Sequence, residues 1–390
     1  MMKLSDDLYY VGVNDTKLKL FEGHFRVPDG MAYNSYVIRS EKTAVIDAVE
    51  KDFADLWISR VKDVLGGASP DYLVVHHMEP DHSSGILKFM EAYPETRIAA
   101  SAKAFAMMKN FFANDFPERR VIVSEGDVLP LGSRELRFIA APMVHWPEVL
   151  TSYEKNEGIL FSADAFGKFG AVSELDVTRD EDWECEARRY YFGIVGKYGA
   201  QVQALLRKVA ALDVKMICPL HGPVLKDDIG HYLKLYDTWS SYEPEDRGVT
   251  IAYTSVYGNT EKAAYYLFDK LARGGAGQTA IYDLADCDVA EAVEDAFRYD
   301  RLVLATTTYN TDIFPYMREF IEALVLRGYR NRTVGFIENG SWAPAAAKVM
   351  KEMLSGCRDL SYAGTEVRIN SAPDGETYEK LDRLAAELLK

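Results

Sequence analysis

Short apolar runs alternate with longer amphipathic stretches along most of the chain. Between about residues 34 and 240, the runs rich in β-branched residues are NSYVI, TAVID, DYLVVHH, RIAA, RVIVS, LRFIA, GILFS and KMICPLHG. Their length and composition predict strands, and the stretches between them predict helices. The first region is therefore predicted to be a layered α/β domain.

The pattern restarts after a polar, turn-rich segment at residues 239–248, which reads WSSYEPEDRG. Five strand candidates follow, separated by helical stretches: GVTIAYTS, TAIYDL, RLVLATTTYN, RTVGFIENG and TEVRI. This alternation predicts a doubly wound parallel sheet. A chain of 390 residues is also too long for one ordinary core. We therefore predict two domains, residues 1–245 and 246–390.

Ionisable residues follow many strands of the first domain. The stretch VVHHMEPDHSSG presents four potential metal ligands within six residues, namely His77, Glu79, Asp81 and His82. Residues two apart in an extended segment lie on the same face, so the first pair can bind one ion while the second pair, beyond a turn at Pro80, reaches another. The segment therefore predicts a two-metal site.

Other strand ends supply further ligand candidates. His145 follows LRFIAAPMV, Asp164 follows GILFSA, and His221 follows KMICPL. A closed coordination sphere needs groups that approach from several directions, and strand ends of layered α/β folds meet at common edges. We expect these three side chains to complete the site.

The order H-x-E-x-D-H, then His145, Asp164 and His221, resembles the metallo-β-lactamase superfamily. Within this superfamily, the glutamate at the third motif position, Glu79, makes the motif resemble that of the flavodiiron proteins. Their A-type includes rubredoxin:oxygen oxidoreductases and nitric oxide reductases. The resemblance implies an αββα sandwich followed by a flavodoxin-like domain. It also implies one iron bound by His77, Glu79, His145 and Asp164, and another bound by Asp81, His82, His221 and the bridging Asp164. Zinc hydrolases of the superfamily carry histidine instead of Glu79, and a hard carboxylate oxygen favours iron.

The segment IAYTSVYGNTE, residues 251–261, reads as a strand, a hydroxyl- and glycine-rich loop and a helix beginning near Thr260. Backbone N–H groups and hydroxyls at a helix N-terminus suit a phosphate. The loop lacks the lysine of a Walker A motif and the GxGxxG of a dinucleotide fold. An N-cap without a ligand is the alternative interpretation.

Two later strand ends, TTTYNT and NGSWA, carry loops suited to a flat aromatic ring. The three loops together resemble flavodoxin, which implies FMN. By that resemblance, the phosphate is held by Ser255, Val256, Tyr257, Gly258, Asn259 and Thr260. The ring is flanked by Thr307, Tyr309, Asn310, Gly340, Ser341 and Trp342. The aromatic members are alternatively core residues.

Some polar residues outside the motif resemble the family's substrate-pocket residues. These are His24 and one of the adjacent Tyr190 and Tyr191, of which we select Tyr191. A loop histidine and a packed aromatic pair are the alternatives. His76 must point to the strand face opposite His77, so we predict a structural role for it.

Composition narrows the possible partners. The net charge of −15 and pI near 5.0 argue against nucleic acid, whose binding needs clustered lysine and arginine. No signal peptide or membrane-length apolar run stands out, so we expect a cytoplasmic protein with no membrane partner. Cys185, Cys218, Cys287 and Cys357 lie far apart, which predicts buried thiols and excludes a fused rubredoxin module.

The resemblance implies reduction of O2 to water, of NO to N2O, or of both, at the two irons with electrons delivered through FMN. It implies a head-to-tail homodimer or a dimer of dimers. The separate electron donor is then rubredoxin, a deazaflavin cofactor or a flavoprotein reductase. Two alternatives are a zinc-dependent hydrolase fused to a flavodoxin domain, and an electron shuttle with a degenerate metal site.

Overall fold

The computed structural model describes residues 1–179 and 183–390. The chain forms two compact units, Met1–Asp237 and Thr238–Lys390. Helix Ile229–Ser241 runs across the division point, and the first strand of the second unit begins at Asp246. The boundary between residues 245 and 246 stays a prediction.

The first unit contains two large sheets and two small two-stranded sheets. In chain order its strands are β1 (Met2–Lys3), β2 (Leu8–Tyr10), β3 (Val13–Asp15), β4 (Leu20–Phe21), β5 (Phe25–Arg26), β6 (Met31–Tyr33), β7 (Tyr36–Ile38), β8 (Ala44–Ile46), β9 (Tyr72–Val75), β10 (Arg97–Ala100), β11 (Arg120–Ile122), β12 (Val128–Pro130), β13 (Glu135–Ala140), β14 (Leu150–Glu154), β15 (Ile159–Phe161) and β16 (Met216–Cys218). The sheet orders are β1-β2-β7-β8-β9-β10-β11 and β12-β13-β14-β15-β16, with the pairs β3-β6 and β4-β5 separate.

The two large sheets pack face to face. Alternate residues of each sheet enter one shared core, for example Tyr36 and Val74 from the first sheet and Phe138 and Phe161 from the second. Period-two alternation places these side chains on one face of each strand. Every residue of β7, β8 and β9 is buried, so the other face of the first sheet is covered as well.

Helices cover the outer faces and complete the predicted αββα sandwich. They are α1 (Ala54–Leu65), α2 (Pro80–Ser83), α3 (Ile86–Ala92), α4 (Ala102–Phe112), α5 (Trp183–Tyr190), α6 (Gly199–Val209) and α7 (Ile229–Ser241). Short 3-10 helices occupy Lys51–Phe53, Pro117–Arg119 and Gly196–Tyr198, and a π-helix occupies Tyr191–Val195. Trp57 of α1 stacks on Phe89 of α3 and donates a hydrogen bond to Ser35 beside β7.

The second unit is the predicted doubly wound sheet. Its elements are β17 (Asp246–Tyr253), α8 (Asn259–Gly274), β18 (Gln278–Asp283), α9 (Val289–Arg298), β19 (Tyr299–Tyr309), β20 (Asp312–Ile313), α10 (Pro315–Leu326), β21 (Thr333–Asn339), α11 (Ala346–Leu354), β22 (Ser361–Tyr362), β23 (Val367–Ile369) and α12 (Gly375–Leu388). The parallel order is β18-β17-β19-β21, and the fifth position is shared by β22 and β23, which both pair with β21.

All eight runs predicted as strands in the first domain, and all five in the second, contain strands. The four cysteines form no disulfide among the described residues, and only Cys218 is buried, so the prediction of buried thiols is wrong for the other three. Within residues 1–179 and 183–390, every helix is too short or too polar to span a bilayer.

Candidate functional site

The metal-motif residues lie at the end of β9 and in the short helix that follows. His77 comes two residues after the strand, and Glu79 is the residue before helix α2. Asp81 and His82 lie within α2, so the predicted turn at Pro80 is one turn of helix. Proline is well suited to the first helical position because its missing N–H would be unpaired there in any case. The helix directs its two ligand candidates away from the first pair.

We call His77, Glu79, His145 and Asp164 the first cluster, whose donor atoms lie within 4.8 Å of one another. Glu79 Oε2 lies 3.1 Å from His77 Nε2 and 2.9 Å from His145 Nε2. Asp164 Oδ2 lies 3.0 Å from His145 Nε2 and 3.5 Å from His77 Nε2. Two imidazoles and two carboxylates therefore converge on one point.

We call Asp81, His82 and His221 the second cluster, and its donor atoms meet the same 4.8 Å limit. The Nε2 atoms of His82 and His221 face each other at 2.9 Å. Asp81 Oδ2 lies 3.3 Å from each of them. All seven predicted ligands are thus brought together in two adjacent groups.

Asp164 connects the clusters. Its Oδ2 faces His77 and His145, while its Oδ1 lies 3.5 Å from His82 Nε2 and 4.0 Å from His221 Nε2. Its side chain is 1% exposed. One buried carboxylate with an oxygen directed at each cluster is the arrangement expected of a bridging ligand.

The donor set fits two cations. Within residues 1–179 and 183–390, none of the four carboxylate oxygens of Asp81 and Asp164 accepts a hydrogen bond of normal geometry. Buried polar atoms without partners are costly, and bound metal ions would satisfy them. Four imidazoles with three carboxylates suit iron, and the oxygen-rich first cluster favours it over zinc.

Without metal ions, the charged side chains of the first cluster stabilise one another. Burial alone would raise the pKa of Asp164, but the imidazoles of His77 and His145 hold it well below its usual value. Burial would lower the pKa of His145, but Asp164 and Glu79 raise it to about 9. Burial lowers the pKa of His82. The first cluster is therefore a mutually stabilised network of charges, and His82 is neutral at physiological pH.

Sequence reasoning missed Glu148, which is 3% exposed. One of its oxygens, Oε1, lies 2.9 Å from His77 Nδ1 and 2.9 Å from the backbone nitrogen of Met78. The available signal was an acidic residue three positions after His145, in HWPE.

His76 fits the structural role predicted for it. Its Nδ1 lies 2.6 Å from Asp47 Oδ2, its Nε2 lies 2.9 Å from Ser152 Oγ, and all three side chains are buried. The backbone nitrogen of His76 also donates to Asp47. These bonds fix the end of β9 from the side opposite His77.

The structure places Tyr190 beside the clusters. Its ring centroid lies 5.5 Å from that of His221, and its buried hydroxyl has no hydrogen-bond partner among the described residues. Burial, reinforced by the charge of Asp164, raises the pKa of Tyr190 well above its usual value. Tyr191, the residue selected from the sequence, packs against Phe192 and Tyr236. The geometry therefore favours Tyr190 as the residue that faces a bound substrate.

His24 lies in the turn between β4 and β5, exposed and packed against Phe25 at a ring distance of 4.0 Å. The same hairpin contacts the second cluster, because Phe21 lies 5.5 Å from the His221 ring. Its neighbour Glu22 keeps part of its side chain in solvent, yet partial burial and the adjacent Glu79 raise its pKa to about 7. The hairpin therefore adds a carboxyl that holds a proton near neutral pH.

In the second unit, the predicted phosphate loop connects β17 to α8. Gly258 precedes the helix with a φ of +80°, a conformation that favours glycine. Val256 and Tyr257 are exposed, and Asn259 and Thr260 form the first turn of the helix. The buried hydroxyl of Ser255 has no partner among the described residues. A free hydroxyl beside a long helix's N-terminus fits a phosphate.

The two ring loops lie at the same sheet edge, because β17, β19 and β21 are parallel neighbours. Thr307 and Tyr309 belong to the end of β19, and Asn310 lies in the turn to β20. Gly340, Ser341 and Trp342 follow β21. Tyr309 is 43% exposed and Trp342 is 82% exposed, which excludes the alternative that they are core residues.

Comparison with known proteins identifies both units. Residues 31–222 match the model described as "ODP family beta lactamase", and residues 250–360 match that described as "Flavodoxin domain". The nitric oxide reductase of Moorella thermoacetica is 28% identical, over 99% of this chain and 97% of that protein. The structure of rubredoxin oxygen:oxidoreductase from Desulfovibrio gigas superposes with a TM-score of 0.91 at 26% identity, covering 100% of this chain and 97% of that one. The flavodiiron protein of Giardia intestinalis has the same TM-score at 24% identity, covering 100% and 95% of the chains.

Proposed function

Because this chain belongs to the flavodiiron protein family, we propose that it reduces O2 to water, NO to N2O, or both, at a non-haem di-iron centre. The observation that carries this proposal is Asp164, whose two buried oxygens face the two ligand clusters separately. FMN, which the loops after β17, β19 and β21 would hold in the second unit, would supply electrons for the reaction. The reductases of O2 and NO among the matched proteins support the same reaction class.

The first cluster would hold one iron through His77, Glu79, His145 and Asp164. The second would hold the other through Asp81, His82, His221 and Asp164. When bound, the irons and the flavin supply the four electrons that O2 needs to become two waters, or the two that couple two NO molecules. The clusters lie within a few ångströms of each other across Asp164. Both atoms of a diatomic substrate can therefore be held at once.

The protein's own contribution is burial and orientation. His77, His82 and His221 are each 0% exposed, so bulk water is excluded from most of the site. The hydroxyl of Tyr190, which has no hydrogen-bond partner among the described residues, can donate a hydrogen bond to a substrate atom beside His221. Excluding water strengthens that interaction, because the local dielectric is low.

The decisive experiment is anaerobic reduction of protein assayed for iron and FMN, followed by stopped-flow mixing with O2 and, separately, with NO. We expect at least one of the two oxidants to reoxidise the flavin rapidly. The product should be water from O2 or N2O from NO. Slow reoxidation by both, or release of peroxide as the main product of O2, would contradict the proposal.

Glu79→His separates this proposal from the zinc-hydrolase alternative. The exchange recreates the histidine-rich motif of the hydrolases, so we expect weaker iron occupancy and a shift towards zinc. Metal analysis after growth with both metals measures the shift. Unchanged iron content together with unchanged oxidase turnover would refute the ligand assignment.

We further infer a head-to-tail homodimer, or a dimer of dimers, in which one subunit's flavin serves its partner's irons. A mixture of two inactive variants tests this. Asp164→Asn removes the metal bridge, and Ser255→Glu places a charge in the phosphate loop. Subunit exchange produces mixed dimers with one subunit of each variant, and these dimers should regain turnover. Full activity in a protein that light scattering identifies as a monomer would contradict the dimer.

The donor we propose is a separate protein or cofactor, namely rubredoxin, a deazaflavin cofactor or a flavoprotein reductase. Each is tested by anaerobic mixing and the bleaching of FMN absorbance. Rapid bleaching by one of the three supports the proposal. Bleaching by none of them would contradict it.

A further inference from the structure

Glu148 lies in the loop between β13 and β14, the same loop that carries His145. Its backbone carbonyl accepts a hydrogen bond from Ser101 at the start of α4, and its side chain points inward and is 3% exposed. The loop therefore supplies one ligand candidate directly and one carboxylate that contacts another.

A single oxygen of Glu148 serves two donors. Oε1 accepts from the Met78 backbone N–H at 2.9 Å and lies 2.9 Å from His77 Nδ1. A carboxylate can only accept, so Nδ1 of His77 carries a hydrogen. Nε2 faces Glu79 and Asp164, and its lone pair would be available to a metal ion held by the first cluster.

Two of the other ligand histidines have weaker support. His221 Nδ1 lies 2.7 Å from the backbone carbonyl oxygen of Ala32. The Nδ1 atom of His82 is buried and lacks a partner among the described residues. A carboxylate makes a bound imidazole a stronger metal ligand than a carbonyl does, because it stabilises the positive charge that the metal places on the ring.

The second oxygen of Glu148 indicates that a positive charge balances this carboxylate. Oε2 is buried and accepts no hydrogen bond within residues 1–179 and 183–390. A nearly inaccessible carboxylate with one bare oxygen is costly unless a positive charge balances it. A metal ion on the far side of the His77 ring would provide that charge.

We propose that Glu148 is a positioning residue, which fixes the orientation and tautomer of His77 and thereby sets the metal affinity of the first cluster. This inference rests on the proposed function. It predicts that the charge of Glu148, rather than its shape, determines how tightly the first metal is held.

Glu148→Gln tests the role of charge. The amide keeps an acceptor oxygen for both donors but removes the charge. Anaerobic competition with a chromogenic chelator should give about tenfold to 100-fold weaker binding of one of the two irons. Mössbauer spectra should change for that iron alone.

Glu154→Gln is the matched control. Glu154 is also a fully buried carboxylate, on β14, but it accepts hydrogen bonds from the backbone N–H groups of Asn156 and Glu157 and pairs with Arg134. We expect its exchange to leave both iron affinities within about twofold of the natural protein. Urea unfolding of each metal-free variant shows whether the fold is intact. An affinity loss in Glu154→Gln equal to that in Glu148→Gln would overturn the proposal.

A double-variant cycle tests whether Glu148 acts through His77. In a His77→Ala background, Glu148→Gln should cause no further loss of affinity, because its effect passes through His77. Additive losses, or natural affinity in Glu148→Gln, would overturn the positioning role. Failure of the natural protein itself to bind iron would instead refute the proposed function, so the two failures are distinguishable.

Discussion

The two ligand clusters lie side by side, yet the protein holds them differently. In the first cluster, Glu79 is within hydrogen-bonding distance of both His77 and His145, and Glu148 supports His77 from behind. In the second, two imidazole nitrogens face each other at 2.9 Å and the Asp81 oxygens have no hydrogen-bond partner among the described residues. The first cluster is therefore largely preorganised by the protein, whereas the second depends on its metal ion to hold it together.

Asp164→Asn should have the largest effect, because it weakens both clusters at once. The amide cannot offer an anionic oxygen to each side. We expect turnover to fall about 1,000-fold, since metal-based charge stabilisation contributes several kcal/mol. Iron content should fall to one ion or fewer per chain. Two retained irons with turnover within tenfold of the natural protein would show that Asp164 is not the bridge.

Metal-free His77→Ala and His82→Ala compare the clusters directly. Removing His77 leaves the partly buried Glu79 and the buried Glu148 without their shared partner, so unfolding free energy should fall by about 3–5 kcal/mol. Removing His82 takes away its Nε2 contacts with His221 and Asp81, but burial lowers the pKa of this imidazole and its Nδ1 has no partner among the described residues, so a cavity is the main cost. We expect a loss smaller by about 2 kcal/mol or more. Equal losses in urea unfolding would remove the distinction between the clusters.

The stability of the metal-free protein should depend on pH through His145. Its pKa is raised in the folded state to about 9, so its contribution is complete below about pH 6.5 and is lost as the pH rises through about 9. The loss should be at most about 3 kcal/mol. Urea unfolding across this range measures it. His145→Ala should reduce this dependence without abolishing it, because the pKa values of His77 and His221 are also raised in the folded state. His82→Ala should keep the full dependence, because burial lowers the pKa of His82. A flat natural profile would contradict this charge network.

The smallest expected effects are those of exchanging two buried tyrosines for phenylalanine. Tyr236 accepts a hydrogen bond from the backbone of Phe166, so Tyr236→Phe should lower unfolding free energy by about 1–2 kcal/mol. The hydroxyl of Tyr190 has no partner among the described residues, so Tyr190→Phe should leave stability within about 0.5 kcal/mol. Tyr190→Phe should nonetheless slow turnover several-fold. Unchanged turnover would remove Tyr190 from the substrate pocket.

Much of the fold followed from the sequence because its strands are β-branched runs bounded by polar residues. Tyr72–Val75 and Thr333–Asn339 are examples in the two units. The two-stranded sheets before residue 34 were not predicted, because their strands, such as Val13–Asp15 and Leu20–Phe21, do not lie in apolar runs rich in β-branched residues. The segment at Pro80 was predicted as a turn, whereas the structure has a one-turn helix there, because one turn of helix is too short to show a helical period.

The ligand candidates were predictable because each follows an apolar run or belongs to one short motif. Their supporting residues were not. Glu148 and Glu22 lie in loops, and only the folded chain brings them to His77 and Glu79. Tyr190 and Tyr191 are adjacent and chemically identical, so the sequence could not decide between them. Which one faces His221 depends on the junction of α5 with the π-helix.

Anomalous diffraction from crystals of the iron-loaded protein, recorded at the iron and zinc absorption edges, tests the central claim most directly. We predict two iron peaks, one among His77, Glu79 and His145 and the other among Asp81, His82 and His221, with one Asp164 oxygen towards each. A single peak, or peaks that prove to be zinc, would contradict a di-iron centre bridged by Asp164.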